Sequence, residues 1–193
     1  MGYTHHTFSL IEPLLSHVES VIDLGAQNDY RYGTPAPYTS EWYKEKGIQY
    51  IAIDLSRENK SLGWDLSKIF INKQENDLVV DAGTSEHVGD DGKFGWQAIY
   101  NCWQNKHNLL KLNGFMVNEN PKTGNWPAHG FNYYTQDFYR NLEATGCYKI
   151  LSIGEHPAMG NTKDGWNVWC VLEKVSEHFP TLATFKKLGI CKR

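Results

Sequence analysis

The chain has 193 residues, 40% of them apolar, a formal charge of −3 and an isoelectric point of about 6.2. That length suits one domain, residues 1–193, with a hydrophobic core of its own. The charge excludes the broad basic field that nucleic-acid binding needs, and no apolar run reaches membrane-spanning length.

Leu10, Ile11, Leu14, Leu15 and Val18 recur at helical spacing, and Pro13 fits only the first turn, so a helix is predicted from about Glu12. Val21–Leu24 is a short apolar strand ending at Gly25. Gln27–Thr39 is rich in turn formers and tyrosines and reads as a long ordered loop. Thr39 or Ser40 caps a short helix over "EWYKEK", stopped by Gly47. "IQYIAID", Ile48–Asp54, is the second strand, and "SRENKSLGWDL" after it is too short for a useful helix. "DLVVDAG", Asp77–Gly83, is the third strand. A helix is predicted over Trp96–Leu112, ended by Asn113-Gly114, followed by the strand "FMVNE", Phe115–Glu119. Thr135 caps a helix running to Ala144 and stopping at Gly146. "YKILSIG" and "WNVWCVLEKV" are strands joined without a helix, and a short helix falls near Thr181–Lys187.

Strands alternating with helices predict an α/β, Rossmann-like three-layer sandwich with a mostly parallel sheet. The last two strands add an antiparallel hairpin at its C-terminal edge. The cysteines Cys102, Cys147, Cys170 and Cys191 form no CxxC pair, which argues against a zinc motif and for buried thiols in a reducing compartment. No basic-then-apolar leader is visible, and His6 stands where a myristoylation signal wants Ser or Thr. The expectation is a soluble, cytoplasmic protein. Lys186, Lys187, Lys192 and Arg193 read as a solvated tail.

Open parallel sheets bind ligands outside the carboxyl ends of their strands, where strand order reverses. Asp23, Asp54, Asp65 and Asp81 fall at such ends. Any one of them can simply cap a turn. As a series they suit a nucleoside: Gly25 lets backbone approach closely, Asp54 offers two acceptor oxygens to ribose hydroxyls, and Asp65 faces an exocyclic amine with Leu66 over the ring.

The order "VIDLGAQ", "IAIDLS", "GWDLS", "DLVVDAGTSEHV", "LLKLNGFMVNE" resembles the class I S-adenosylmethionine-dependent methyltransferases over Val18–Leu172. "HGFNYYTQDFYRNLEATG" is similar to a segment that many of these enzymes carry after their fifth strand. The resemblance implies a seven-stranded sheet whose last strand is antiparallel, with S-adenosyl-L-methionine as cofactor. It implies that Asp23, Gly25, Ala26 and Gln27 surround the methionine half of the donor. Asp54, with Leu55 beside it, would hold the ribose, Asp65 and Leu66 would flank the adenine, and Asp81 and Ala82 would line the floor near the sulfonium. Gln27 stands where a dinucleotide-binding turn wants glycine. That suits a donor without phosphates and is awkward for NAD, whose pyrophosphate needs close backbone. The tyrosines Tyr30, Tyr32 and Tyr38 form either a lid or surface packing.

Methyl transfer to a hydroxyl or amine needs alignment and a proton acceptor. His87, His129 and Glu86 are the candidates, all near strand ends that open on one cleft. Some RNA 2′-O-methyltransferases and quinone-pathway O-methyltransferases carry Glu-x-x-Glu-His here and bind a divalent metal. Glu86 and His87 match the last two positions, Gly83 replaces the first glutamate, and His129 stands for a later ligand. The expected activity is O- or N-methylation of a small-molecule or sugar-like acceptor, with no metal site assigned. The alternatives are a metal-assisted RNA 2′-O-methyltransferase-like enzyme and a non-catalytic nucleoside-binding Rossmann-like protein.

Overall fold

The computed structural model describes residues 2–31, 36–56, 61–70, 75–158 and 165–192, with 36–38 and 191–192 described through their backbone alone. In chain order the elements are β1 (Gly2–Tyr3), α1 (His5–Ile11), β2 (Ser20–Leu24), β3 (Asn28–Asp29), β4 (Ala36–Tyr38), α2 (Thr39–Glu45), β5 (Gln49–Ile53) and β6 (Asn76–Ala82). They continue with α3 (Trp96–Asn108), β7 (Leu110–Pro121), β8 (Asn132–Tyr133), α4 (Gln136–Glu143), β9 (Tyr148–Pro157), β10 (Trp166–Lys174), α5 (Leu182–Phe185) and β11 (Cys191–Lys192). Short 3-10 turns span Glu12–His17 and Ser85–His87.

The main sheet runs β5-β2-β6-β7-β10-β9. The first four strands are parallel, and β10 is antiparallel to both neighbours. The chain winds outward from β2 to β5, then returns to place β6 on the other side of β2. Strand order therefore reverses between β2 and β6, and the crevice at their carboxyl ends is the expected ligand position. Strand alternation divides the core into two layers, one on each face. Ile22, Leu24 and Val79 face α3 and α4, packing on Ile99, Trp103 and Phe138. Val21, Leu78 and Val80 face α1 and α2, packing on Phe8, Ile11, Trp42 and Tyr43. Each such fully buried side chain contributes roughly 1.5–3 kcal/mol of transfer free energy.

The sheet has six strands among the described residues, not seven. Where a seventh strand would flank β5, residues 61–70 offer only the single bridge Ile53↔Leu62. "SLGWDLS" carries no alternating run that would fill a longer edge. Asn28–Asp29 and Ala36–Tyr38 instead join β1 in a small separate sheet, inside the stretch expected as loop. Of the three tyrosines read as either a lid or surface packing, Tyr32 lies outside the described residues and Tyr38 is described by backbone only. Tyr30 packs against Gly2, where an added Cβ would sit 2.4 Å from its ring.

Two helix boundaries differ from expectation. The first helix starts at His5, not Glu12. Thr4 caps it through a capping box with Thr7, and it ends at Ile11 because Pro13 lacks the N–H that the helical ladder needs. Helix α3 stops at Asn108, and the expected stop at Asn113-Gly114 lies inside β7. There Asn113 takes φ 64° close to the register shift opposite Asn76 and Leu78. No described helix is long and apolar enough to cross a membrane.

Candidate nucleoside site

A cavity of ≈ 570 Å³ opens at the carboxyl ends of β2, β5 and β6, well within the size of small-ligand sites. Its back wall is the turn after β2. Gly25 has φ +95°, and its N–H donates to the Ile53 carbonyl at 2.7 Å. A Cβ at Gly25 would meet Thr84 Oγ1 at 2.3 Å and Gln27 Nε2 at 2.4 Å. Gln27 is no vestige of a glycine: its amide donates to the Leu24 carbonyl at 3.2 Å and to Thr84 Oγ1 at 2.9 Å. Thr84 in turn donates to the Leu24 carbonyl at 2.6 Å. The side chain thus closes the turn that a second glycine would leave to backbone alone.

Asp54 and Asp65 face this same cavity. Asp54 Oδ1 accepts from Ser56 N at 2.8 Å and Ser56 Oγ at 2.7 Å, and Asp65 Oδ1 accepts from Ser67 N at 2.9 Å. In both cases a local turn fixes the carboxylate's orientation at the cavity wall. Leu66, almost buried, and Leu55, exposed on the rim, also line it, together with Trp64 and Phe131. The opposite lip is the loop Gly89–Gly92 with Asp90 and Asp91. Among the described residues, four carboxylates and one ammonium, that of Lys68, line the space. Such a potential favours a ligand bearing positive charge and repels a pyrophosphate.

Four residues expected at the donor lie behind this wall. Asp23, Ala26, Asp81 and Ala82 are buried and do not line the cavity. The parity of each strand explains it. Asp23 points to the α1 and α2 face, where its carboxylate accepts from Tyr50 Oη at 2.7 Å, Tyr3 Oη at 3.1 Å, Gln27 N at 3.1 Å and Thr39 Oγ1 at 3.2 Å. Burial pushes its pKa up to about 6 despite these donors. Burial and the Asp23 charge hold the Tyr3 and Tyr50 hydroxyls far above their ordinary value, so they remain donors. Asp23 anchors the Gly25 turn through the Gln27 N–H; Ala26, at φ 43°, sits inside that turn.

Asp81 points the other way. Burial would raise its carboxyl, but the Lys106 ammonium at 2.8 Å outweighs this, and with hydrogen bonds from Ser85 it holds the pKa below the ordinary carboxylate range. Asp81 Oδ1 also accepts from the N–H groups of Thr84 at 3.2 Å and Ser85 at 3.0 Å. It thereby shapes the loop leading to Glu86. Lys106 was missed in the sequence, although a lysine following Cys102 and Trp103 on the buried stripe of α3 signals a buried partner. It also donates to Asn118 Oδ1 at 2.5 Å and stands 3.5 Å over the Trp103 ring.

The three acid–base candidates come together. Glu86 Oε1 lies 3.5 Å from His87 Nε2 and 3.6 Å from His129 Nε2. Glu86 is fully buried, and neither its Oε1 nor His129 Nε2 has a hydrogen-bond partner. Such orphaned atoms are rare in folded chains. The ligand atoms of the three residues all lie within 4.8 Å of one another, close enough to share a cation. His87 lines the cavity, and His129 packs beside it with ring centroids 4.9 Å apart.

No protein-family model and no curated protein matches the sequence. Solved structures do resemble the fold. The 1,6-didemethyltoxoflavin-N1-methyltransferase of Burkholderia thailandensis, solved with 1,6-didemethyltoxoflavin and S-adenosylhomocysteine, superposes with a TM-score of 0.64 at 15% identity. The match covers 89% of this chain and 78% of that one. The N-methyltransferase NodS of Bradyrhizobium japonicum WM9, in complex with S-adenosylhomocysteine, gives 0.55 at 13% identity over 89% of this chain and 86% of its own. The [4+2]-cyclase SpnF gives 0.56 at 11% identity, over 88% and 82%. The parallel order of β5, β2, β6 and β7, the reversed β10 and these superpositions agree: the chain has the fold of the S-adenosylmethionine-dependent methyltransferases.

Proposed function

We propose that the protein is an S-adenosyl-L-methionine-dependent methyltransferase acting on an oxygen or nitrogen of a small-molecule or sugar-like acceptor. The observation that carries this reading is the acidic cavity at the β2/β6 switch point, backed by a turn with one closely packed glycine and no phosphate cradle. The bound donor supplies an electrophilic methyl on a positively charged sulfur. Asp54 accepts the ribose hydroxyls, and Leu55 flanks them from the rim. Asp65 and Leu66 take the adenine edge and face. The Gly25–Gln27 turn holds the amino-acid tail. Asp23 and Asp81 act from behind, fixing the turn after β2 and the loop after β6. On the acceptor side, His87, which lines the cavity, removes the proton, with His129 and Glu86 beside it as the other two acid–base candidates.

A similarity to SpnF, a [4+2]-cyclase, is a reminder that this fold alone does not select a reaction. Calorimetric titration with S-adenosylmethionine, S-adenosylhomocysteine and NAD side by side separates the readings. Expected is binding of the first two and none of NAD. Binding without turnover over broad acceptor pools would favour a nucleoside-binding protein. Asp54→Ala is expected to weaken donor binding by more than about 1.5 kcal/mol, the scale of a charge-assisted hydrogen bond, without unfolding the chain. Unchanged affinity would remove Asp54 from the site.

The orphaned Glu86 Oε1 and His129 Nε2 favour a second reading of the acceptor side. One carboxylate and two imidazoles fit a divalent cation, which would supply positive charge beside the acceptor oxygen. The acidic lining opposes a polyanionic acceptor, so a small molecule suits this variant better than RNA.

A further inference from the structure

We propose that His6, Glu119 and His156 form a second site, one for a divalent transition-metal ion of the zinc type. The three residues come from α1, β7 and β9, and their ligand atoms all lie within 4.8 Å of one another. Strand alternation sets the site apart from the cluster around Glu86. In β7, Asn118 and Asn120 point to the α3 and α4 side, while Glu119 points to α1. Glu119 is almost fully buried, so its charge needs compensation. Its Oε1 lies 2.8 Å from His156 Nε2, and its Oε2 lies 3.5 Å from His6 Nδ1.

What surrounds these atoms is the outer support that metal sites use. His156 Nδ1 donates to the Pro157 carbonyl at 2.8 Å, which fixes the ring and leaves Nε2 as the coordinating nitrogen once its own proton is lost. Thr7 Oγ1 donates to Glu119 Oε2 at 2.8 Å, and Asn167 Nδ2 donates to Oε1 at 3.3 Å. The His6 and His156 rings stack at 3.8 Å and 27°, presenting nitrogens to the same carboxylate. His6 is partly exposed, which leaves an entry path and a position for water. Two imidazoles, one carboxylate and an open position suit zinc better than magnesium or calcium, which take oxygen ligands. On binding, the proton between His156 and Glu119 leaves to solvent, and the ion takes its place.

The test uses the full chain without a polyhistidine tag, stripped with chelator, in a His87→Ala/His129→Ala background that removes the other cluster. Titration with Zn²⁺ is followed by calorimetry and by the thermal midpoint, and Co²⁺ is followed by its visible absorption. Expected are one bound ion per chain and a raised midpoint. His6→Ala, a change at a partly exposed side chain, and Glu119→Gln, which is isosteric, should each weaken binding by roughly tenfold or more. Failure of the background variant to bind Zn²⁺ or Co²⁺ while folded would overturn the proposal. So would undiminished binding after His6→Ala, which would leave a plain Glu119–His156 ion pair between two strands of the sheet.

Discussion

Replacing Gly25 by alanine tests the turn on which the donor-site reading rests. A left-handed φ costs an L-residue roughly 1–2 kcal/mol. The added Cβ also falls 2.3 Å from Thr84 Oγ1 and 2.4 Å from Gln27 Nε2, so both groups must shift. That strains the Gln27–Thr84 and Thr84–Leu24 hydrogen bonds, each contributing about 0.5–1.5 kcal/mol. The sum, about 2–5 kcal/mol, is divided between folding and the shape of the cavity wall. Gly47→Ala is the control. Its φ is +74°, but no atom lies within 4 Å of the new Cβ, so it carries the backbone cost alone. Urea denaturation and titration with S-adenosylhomocysteine read the two effects. Gly47→Ala is expected to lose stability and keep affinity. Gly25→Ala should lose more stability and at least roughly tenfold in affinity, equal to about 1.4 kcal/mol. A folded Gly25→Ala variant that binds like the parent would refute the assignment of this turn to the donor.

Asp23→Asn should flatten the pH dependence of stability. The folded pKa of about 6 lies above the ordinary 3.8, so the folded chain holds a proton that the unfolded chain releases. Stability therefore falls as pH rises from about 4 to 6, by about 3 kcal/mol for a two-unit shift. Asparagine fits if its Nδ2 faces Tyr3 Oη, which then donates to Tyr43 Oη 3.3 Å away. Urea midpoints from pH 4 to 7 check this; an unaltered slope in the variant contradicts it. Lys106→Met leaves Asp81 buried without its ammonium and should cost about 3–5 kcal/mol by denaturant unfolding, whereas Lys106→Met with Asp81→Asn should recover part of it. A loss below about 1 kcal/mol in the single variant would show that the pair carries little of the loop's structure.

The strands were legible wherever an apolar run met a turn residue. Val21–Leu24, Ile48–Asp54 and Asp77–Gly83 all lie where the sheet has β2, β5 and β6. Asp54 and Asp65 were legible as neighbours because both terminate or follow the second strand, whose end has to open on the crevice. Asp23 and Asp81 were not, because a residue's distance from a strand end does not say which face it takes. One step of parity turns Asp23 toward Tyr3 and Tyr50 and Asp81 toward Lys106. The first helix was shifted because Thr7, not Glu or Gln, completes the capping box of Thr4. The seventh strand expected of the sheet leaves only Leu62 as a trace beside β5. The pairing of His6 with His156 spans most of the chain and depends on α1 lying against the end of β7, which no local pattern encodes.

The most direct measurement is a structure of the chain soaked or co-crystallised with S-adenosylhomocysteine. Expected is the ribose on Asp54, the adenine between Asp65 and Leu66, and the amino-acid tail over the Gly25–Gln27 turn, with open space beside His87 for an acceptor. A ligand seated elsewhere, or this cavity empty at saturating concentration, would contradict the donor site and leave the fold as the only likeness to methyltransferases.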